Sequence, residues 1–185
     1  MESIKEWMIR ALREENNNGV MSGWLEEDLH KWVRVVSNTL NALLNGTSFI
    51  VLSDTPREWF KSYFLTHINA PSRNRPYVPF LGVEGLELFL GEDIRDQKNI
   101  QLASSMLQTI FQDYAFFYVG KAEGIKAELA MSHENSFLWL LDADVQNAFS
   151  LNSSNKMLDS RLLQLYRLFD QAVSLMIYEK ISLES

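Results

Sequence analysis

The 185-residue sequence contains no cysteine. That excludes a disulfide framework, thiolate metal sites and a cysteine nucleophile, and it suits a reducing compartment. Histidine is scarce. His30, His67 and His133 stand far apart and fit no metal or catalytic spacing, so surface or capping roles are their default. The sequence has no His-Glu-x-x-His, Gly-x-Ser-x-Gly, Walker A or Gly-x-Gly-x-x-Gly motif. Net positive charge is missing as well. The formal charge is -7, spread along the chain, and no Lys/Arg cluster forms the basic stripe that direct nucleic-acid binding requires. No apolar run approaches the ~20 residues of a membrane span. The opening Met-Glu-Ser-Ile-Lys-Glu-Trp lacks the apolar core of a signal peptide. The expectation is a soluble, cytoplasmic protein with no membrane association.

What is present is enough apolar residue for one sizeable core. A chain of this length buries roughly 70% of its unfolded surface, and a single domain over residues 1–185 is expected. Its organising stretch runs from Gly46 to Tyr63. Residues 47–52, Thr-Ser-Phe-Ile-Val-Leu, are short, apolar and rich in β-branched and aromatic side chains, the pattern of a strand buried on both faces. Thr55-Pro56-Arg57-Glu58 then opens a helix. Thr55 is the expected N-cap, Pro56 sits where its missing N–H costs nothing, and Glu58 closes a capping box. Such a cap contributes ~1 kcal/mol.

The remaining elements follow the same logic. A first helix covers residues 3 to about 16, with Ser3 and Glu6 as its capping box and Ile4, Trp7, Met8, Ala11 and Leu12 as one stripe. A second is expected over about 23–45, with Ser22 as N-cap and Gly46 as stop. Trp24 lies off its main seam and has two readings: it covers a core edge, or it faces a partner. After the helix at 56–69, Ser72 to Pro76 reads as a basic loop with Arg73 and Arg75. Residues 77–83 are a strand candidate demoted toward a sheet edge by Pro79, and 84–97 read as a turn of helix and a loop. Further helices are expected at about 99–112 and 122–130. Strands are expected at 115–119 (stopped by Gly120), 136–141 and, more weakly, 147–151.

The last helix, about 156–180, carries an unusually wide apolar face. Leu162, Leu165, Phe169, Val173 and Met176 mark it as a candidate oligomer interface, deep burial within the subunit being the other explanation. The sum is an α/β fold: three layers, Rossmann-like, with a four- or five-stranded parallel sheet flanked by helices.

Parallel sheets bind ligands at turns such as 52–57. A phosphate cradle there needs glycines, whereas this turn is Leu-Ser-Asp-Thr-Pro-Arg. Pro56 removes an N–H and Asp54 puts negative charge where a phosphate would sit. Capping explains Ser53, Thr55 and Arg57 better than a phosphate site does. Asp142 and Asp144 are the best-placed carboxylates, but nothing holds a pair apart for acid–base work. No catalytic, cofactor or metal residue is assigned.

Six segments together carry a resemblance: Ser22-Gly-Trp-Leu-Glu26, Asn45-Gly46 with the following strand, Arg57-Glu-Trp-Phe60, Phe117-Tyr-Val-Gly-Lys121, Ser136-Phe-Leu-Trp-Leu140 and Leu162-Leu-Gln-Leu-Tyr-Arg-Leu-Phe169. In this order, over nearly the whole chain, they resemble the HobA family. The resemblance implies a modified Rossmann-type fold related to sugar isomerase (SIS) domains and to DiaA. It also implies a tetramer built as a dimer of dimers, no enzymatic activity or cofactor, and binding to the N-terminal part of the initiator DnaA to help assemble it at the replication origin. It marks no partner-contacting residue. The competing expectation is a sugar-phosphate binder or isomerase of SIS type.

Overall fold

The computed structural model describes residues 2–90 and 97–183. Five parallel strands form its sheet: β2 (Ser48–Ser53), β3 (Phe80–Leu81), β4 (Tyr114–Lys121), β5 (Phe137–Leu141) and β6 (Ala148–Leu151), in the order β3-β2-β4-β5-β6. A separate two-stranded parallel pair joins β1 (Glu2–Ser3) to β7 (Ile181–Ser182). This pairing has no counterpart in the sequence pattern, because two-residue strands leave no periodicity.

The strands read correctly because their residues are apolar on both faces, and the structure covers both. Phe49, Val51, Ala115, Phe117, Phe137, Trp139 and Phe149 face one core, with α1 (Ile4–Asn17), α2 (Leu29–Leu44), α3 (Glu58–Ile68) and α7 (Leu158–Ile177). Ile50, Leu52, Phe116, Tyr118, Leu138 and Leu140 face the other, with α4 (Glu84–Leu90), α5 (Gln97–Ile110) and α6 (Ile125–Met131). The first core is strongly aromatic. Phe64 lies 4.6 Å from Phe117, and Phe137 lies 4.9 Å from both Phe117 and Phe169, centroid to centroid. Offset and edge-on pairs of this kind add about 0.5–1.5 kcal/mol each beyond burial.

Several boundaries differ from expectation. The expected helix over 23–45 is broken: a 3-10 turn, Gly23–Leu25, precedes α2, and the Ser22 hydroxyl donates to the Leu12 carbonyl instead of capping. Gly46 does end α2, at φ 91°. Gly120 lies inside β4 rather than ending it. Strand β3 is two residues long and at the sheet edge, as Pro79 dictates. Residues 84–90 are helical, while the loop expected after them falls at 91–96, outside the described residues.

The apolar face of α7 is core. Leu162, Leu165, Phe169 and Val173 are fully buried inside a single chain and Met176 nearly so. Packing against the sheet and against α1, α2 and α3 explains the width of that face. Four of these side chains are thus covered by the chain's own core, and Met176 also lines a surface hollow beside β7.

Candidate functional site

The chain leaves β2 toward β3 on one side and reaches β4 on the other, so β2 and β4 flank the topological switch point. Open parallel sheets bind ligands outside the carboxyl ends of such strands. A crevice of about 900 Å³ lies there, lined by the 54–57 turn and by Tyr118, Lys121, Gly124 and Ser153.

The side chain of Asp54 forms part of its wall. Asp54, not Thr55, is the N-cap: its Oδ1 accepts from the Arg57 backbone N–H at 3.2 Å. The Arg57 guanidinium donates to the same carboxylate, through Nε at 2.6 Å to Oδ1 and through Nη2 to Oδ2. From the far side of the crevice the Lys121 backbone N–H donates to Oδ2 at 2.8 Å. Gly120 permits this approach, since a Cβ there would lie 2.6 Å from the Asp54 carboxyl carbon and 2.7 Å from the Tyr118 hydroxyl. Tyr118 donates its hydroxyl proton to the Lys121 carbonyl at 2.7 Å. Burial pushes the Tyr118 phenol up, and the neighbouring Asp54 carboxylate adds to the rise.

Glu58, Lys61, Glu87 and Lys126 nearby are paired among themselves. Glu58, expected to close a capping box with Thr55, instead accepts from the Ser53 hydroxyl at 3.0 Å and pairs with Lys61. Lys61 also meets Glu87 at 2.5 Å, and Lys126 meets Glu87 at 3.4 Å. Burial works to raise the Glu58 carboxyl, but hydrogen bonds from Lys61 and Ser53 outweigh it and hold the group below its ordinary range. This arrangement stitches β2, α3, α4 and α6 together.

The histidines stay apart. His67 bonds the Tyr63 carbonyl at 2.7 Å, His133 packs on Tyr114, and His30 is exposed on α2. Asp142 turns to the next loop, accepting from the Ser153 backbone at 2.8 Å and from its hydroxyl. Those two bonds, side chain first, hold its carboxyl below the ordinary range.

Two surfaces stand out. The outer side of α5 presents Leu102, Met106 and Ile110 at i, i+4 and i+8, with Leu102 48% and Ile110 61% exposed. On α4, Leu88, 85% exposed, and Phe89 are also at the surface. From Asn99 to Ile110 the helix carries no charged residue. The second surface is a groove of about 640 Å³ between the Val20–Leu25 segment and α7. Trp24 forms its floor, half-buried against the core. The Trp24 indole N–H donates to Gln164 at 2.6 Å, Gln164 donates to the Met21 carbonyl at 3.2 Å, and Arg161 lies 4.5 Å over the indole ring. Met21 and Met157 are exposed beside it. An adjoining hollow, sharing Trp24 and Arg161, is rimmed by Asp28, Asp142 and Asp144. Trp24 therefore covers a core edge, the first of its two readings, and keeps part of its side chain at the surface.

The switch-point crevice lacks glycine at its first turn, and its Asp54 carboxylate is paired with the Arg57 guanidinium. Comparison with known proteins gives it a context. The family model of HobA, a DNA replication regulator, matches residues 1–183. The chain belongs to the HobA family. It is 29% identical over 187 residues to the DNA replication regulator protein HobA of Helicobacter pylori strain ATCC 700392 / 26695, covering 99% of this chain and 100% of that protein. The crystal structure of Helicobacter pylori HobA superposes with a TM-score of 0.75 at 26% identity, over 98% of this chain and 99% of that one. A chain of the HobA–DnaA (domain I-II) complex from the same species gives 0.75 at 24% identity, with the same coverage. The HobA fold accounts for the five-stranded parallel sheet with helices on both sides. Among the described residues, no helix is long and apolar enough to cross a membrane.

Proposed function

We propose that this chain is a non-enzymatic, cytoplasmic adaptor that binds the N-terminal part of the initiator DnaA and promotes its assembly at the replication origin. The observation that carries this reading is membership of a family of replication regulators, together with the fold shared with HobA, which has been solved in complex with DnaA domains I–II. The acidic charge suits contact with a protein rather than with DNA itself. A sugar-phosphate function finds no support in a crevice whose anion position holds the chain's own carboxylate.

We further propose that the chain works as a homo-oligomer, a tetramer arranged as a dimer of dimers. With α7 consumed by the core, the α4–α5 face is the surface for a second copy. Leu102, Met106 and Ile110 form an i, i+4 ridge of the kind that packs into a partner helix's groove, and an uncharged face lets two chains of net charge -7 meet without repulsion. The Trp24 groove suits a different protein. Trp24, Met21, Met157 and Arg161 line it, and Trp, Met and Arg are the residue types enriched in interface cores.

The test is size-exclusion chromatography with light scattering, run on the chain with a DnaA domain I–II fragment. Co-elution at a fixed ratio is expected. Failure to bind at micromolar concentration overturns the adaptor reading. Met106→Glu with Leu102→Glu is expected to give a folded, smaller assembly, and Trp24→Ala to weaken DnaA capture with the assembly intact.

A further inference from the structure

Asparagine followed by glycine occurs twice in the chain, at Asn18-Gly19 and at Asn45-Gly46. A glycine has no side chain to shield its amide nitrogen. In an open chain that nitrogen attacks the preceding carboxamide, which is one reason asparagine is a thermolabile residue. Both pairs are exposed, and both end a helix in the same way. Gly19 and Gly46 take φ 81° and 91°. Their N–H groups donate to the Asn16 and Leu43 carbonyls at 3.1 and 3.0 Å. The next N–H groups, of Val20 and Thr47, reach back to the Glu15 and Ala42 carbonyls, each at 3.0 Å. With ψ at 8° for Asn18 and 0° for Asn45, the glycine nitrogen is turned away from the asparagine side chain. Neither pair reacts until its turn opens.

The two turns differ in what opening them disturbs. After Gly19 the chain runs through half-buried Val20 and exposed Met21 before it is fixed again at Ser22, whose N–H and hydroxyl both donate to Asn16 Oδ1 at 3.0 Å. After Gly46 it enters the sheet at once. Thr47 is buried and its hydroxyl donates to Asp113, the Ser48 N–H donates to the Asp113 carbonyl at 3.1 Å, and β2 is paired on both sides. Opening at Gly46 pulls on the sheet, whereas opening at Gly19 is confined to a surface turn.

We infer that Asn18 is a site of spontaneous covalent modification in the folded protein and that Asn45 is protected from it. The Gly19 nitrogen bonds to Asn18 Cγ. Its proton and the side-chain nitrogen leave as ammonia, and a succinimide ring remains. Water then adds to one or other ring carbonyl, giving aspartate, or isoaspartate with the main chain routed through Cβ. Either product puts a new carboxylate at the C-terminal end of α1, four residues after Glu14, where the helix dipole and the like charge both oppose it. Asn16 and Gly19 line the Trp24 groove, so the change falls on that groove's wall.

The experiment incubates the full native chain at mildly alkaline pH and maps it by proteolysis and mass spectrometry, with isoaspartate counted by enzymatic methylation of its free carboxylate. Residue 18 is expected to gain the mass difference between –OH and –NH2 at least about tenfold faster than residue 45. In denaturant, where both turns are gone, the two are expected to react at similar rates. Asn18→Gln is expected to silence isoaspartate formation at the 16–19 turn. Asn45 keeping pace with Asn18 in the native chain overturns the inference. So does a native chain in which Asn18 stays intact, a preference for Asn18 that persists unchanged in denaturant, or isoaspartate at the 16–19 turn that survives Asn18→Gln.

Discussion

Replacing Asp170 with alanine removes the carboxylate that both Arg73 and Arg75 contact. The Arg75 side chain is only 1% exposed. Its guanidinium donates to Asp170 Oδ1 at 2.6 Å, to the Asp170 carbonyl at 2.8 Å, to the Ser174 hydroxyl at 2.6 Å and to the Ile68 carbonyl at 2.7 Å. Arg73 adds a contact of 3.0 Å to the other Asp170 oxygen and a hydrogen bond to Tyr166, whose phenol is pushed up to about 12 by burial and by the Asp170 charge. Asp170→Ala keeps the carbonyl and hydroxyl acceptors but leaves a buried cation without its counter-charge. Breaking a buried pair from one side costs about 3–5 kcal/mol. For a chain of this length that is a fall in Tm of about 6–20 °C. Calorimetry, with urea denaturation as a second measure, reads the loss. The partner substitution separates causes. Asp170→Leu with Arg75→Met replaces the pair by apolar groups and is expected to recover most of the loss, because the penalty belongs to the widowed charge rather than to the pair. A loss below about 1 kcal/mol in Asp170→Ala would refute the reasoning, since exposed pairs behave that way.

Three further perturbations read other parts of the fold. Phe169→Glu places a charge in the ring cluster of Phe64, Phe80 and Phe137, and is expected to abolish folding by circular dichroism rather than merely to split an assembly. Gly120→Ala forces a methyl group into the Asp54 carboxylate, so it is expected to lower Tm, and Asp54→Ser in the same chain is expected to relieve part of that loss. Burial holds the Glu15 carboxyl above its ordinary 4.5, with Arg167 opposing. A raised folded-state pKa means stability is full below that ordinary value and declines as pH rises through the folded one. Glu15→Gln is therefore expected to raise Tm at pH 7, with the gain vanishing below about pH 4.

The sheet was legible because a both-faces-buried strand leaves an apolar run, which β2, β4 and β5 do, while Ser150 interrupts the shorter run of β6. Only their ends moved by a residue or two. The long-range polar ties were not legible. Asp54 and Thr55 are adjacent, and both side chains make good caps. The Lys121 N–H, 67 residues away, meets Asp54 alone. Arg73 and Arg75 look like a solvated basic loop, yet they turn inward to an aspartate 95 residues beyond Arg75. Asp170 sits amid the apolar seam of α7, where an acid breaking the pattern was the available signal. Trp24 marked a surface only as an off-seam tryptophan, and Gln164, 140 residues on, is what pins it. Width of an apolar helix likewise does not say whether sheet or subunit covers it. The functional conclusion came from the likeness of whole segments, because no cluster of reactive groups exists in the sequence to announce it.

The clasp between Glu2–Ser3 and Ile181–Ser182 sets two segments far apart in sequence side by side. A short linker between these two segments is therefore enough to bridge them, so the fold is suited to being reopened elsewhere at an exposed loop with its sheet order unchanged. The same adjacency makes fraying mutual: a cut that removes one segment takes away the strand partner of the other.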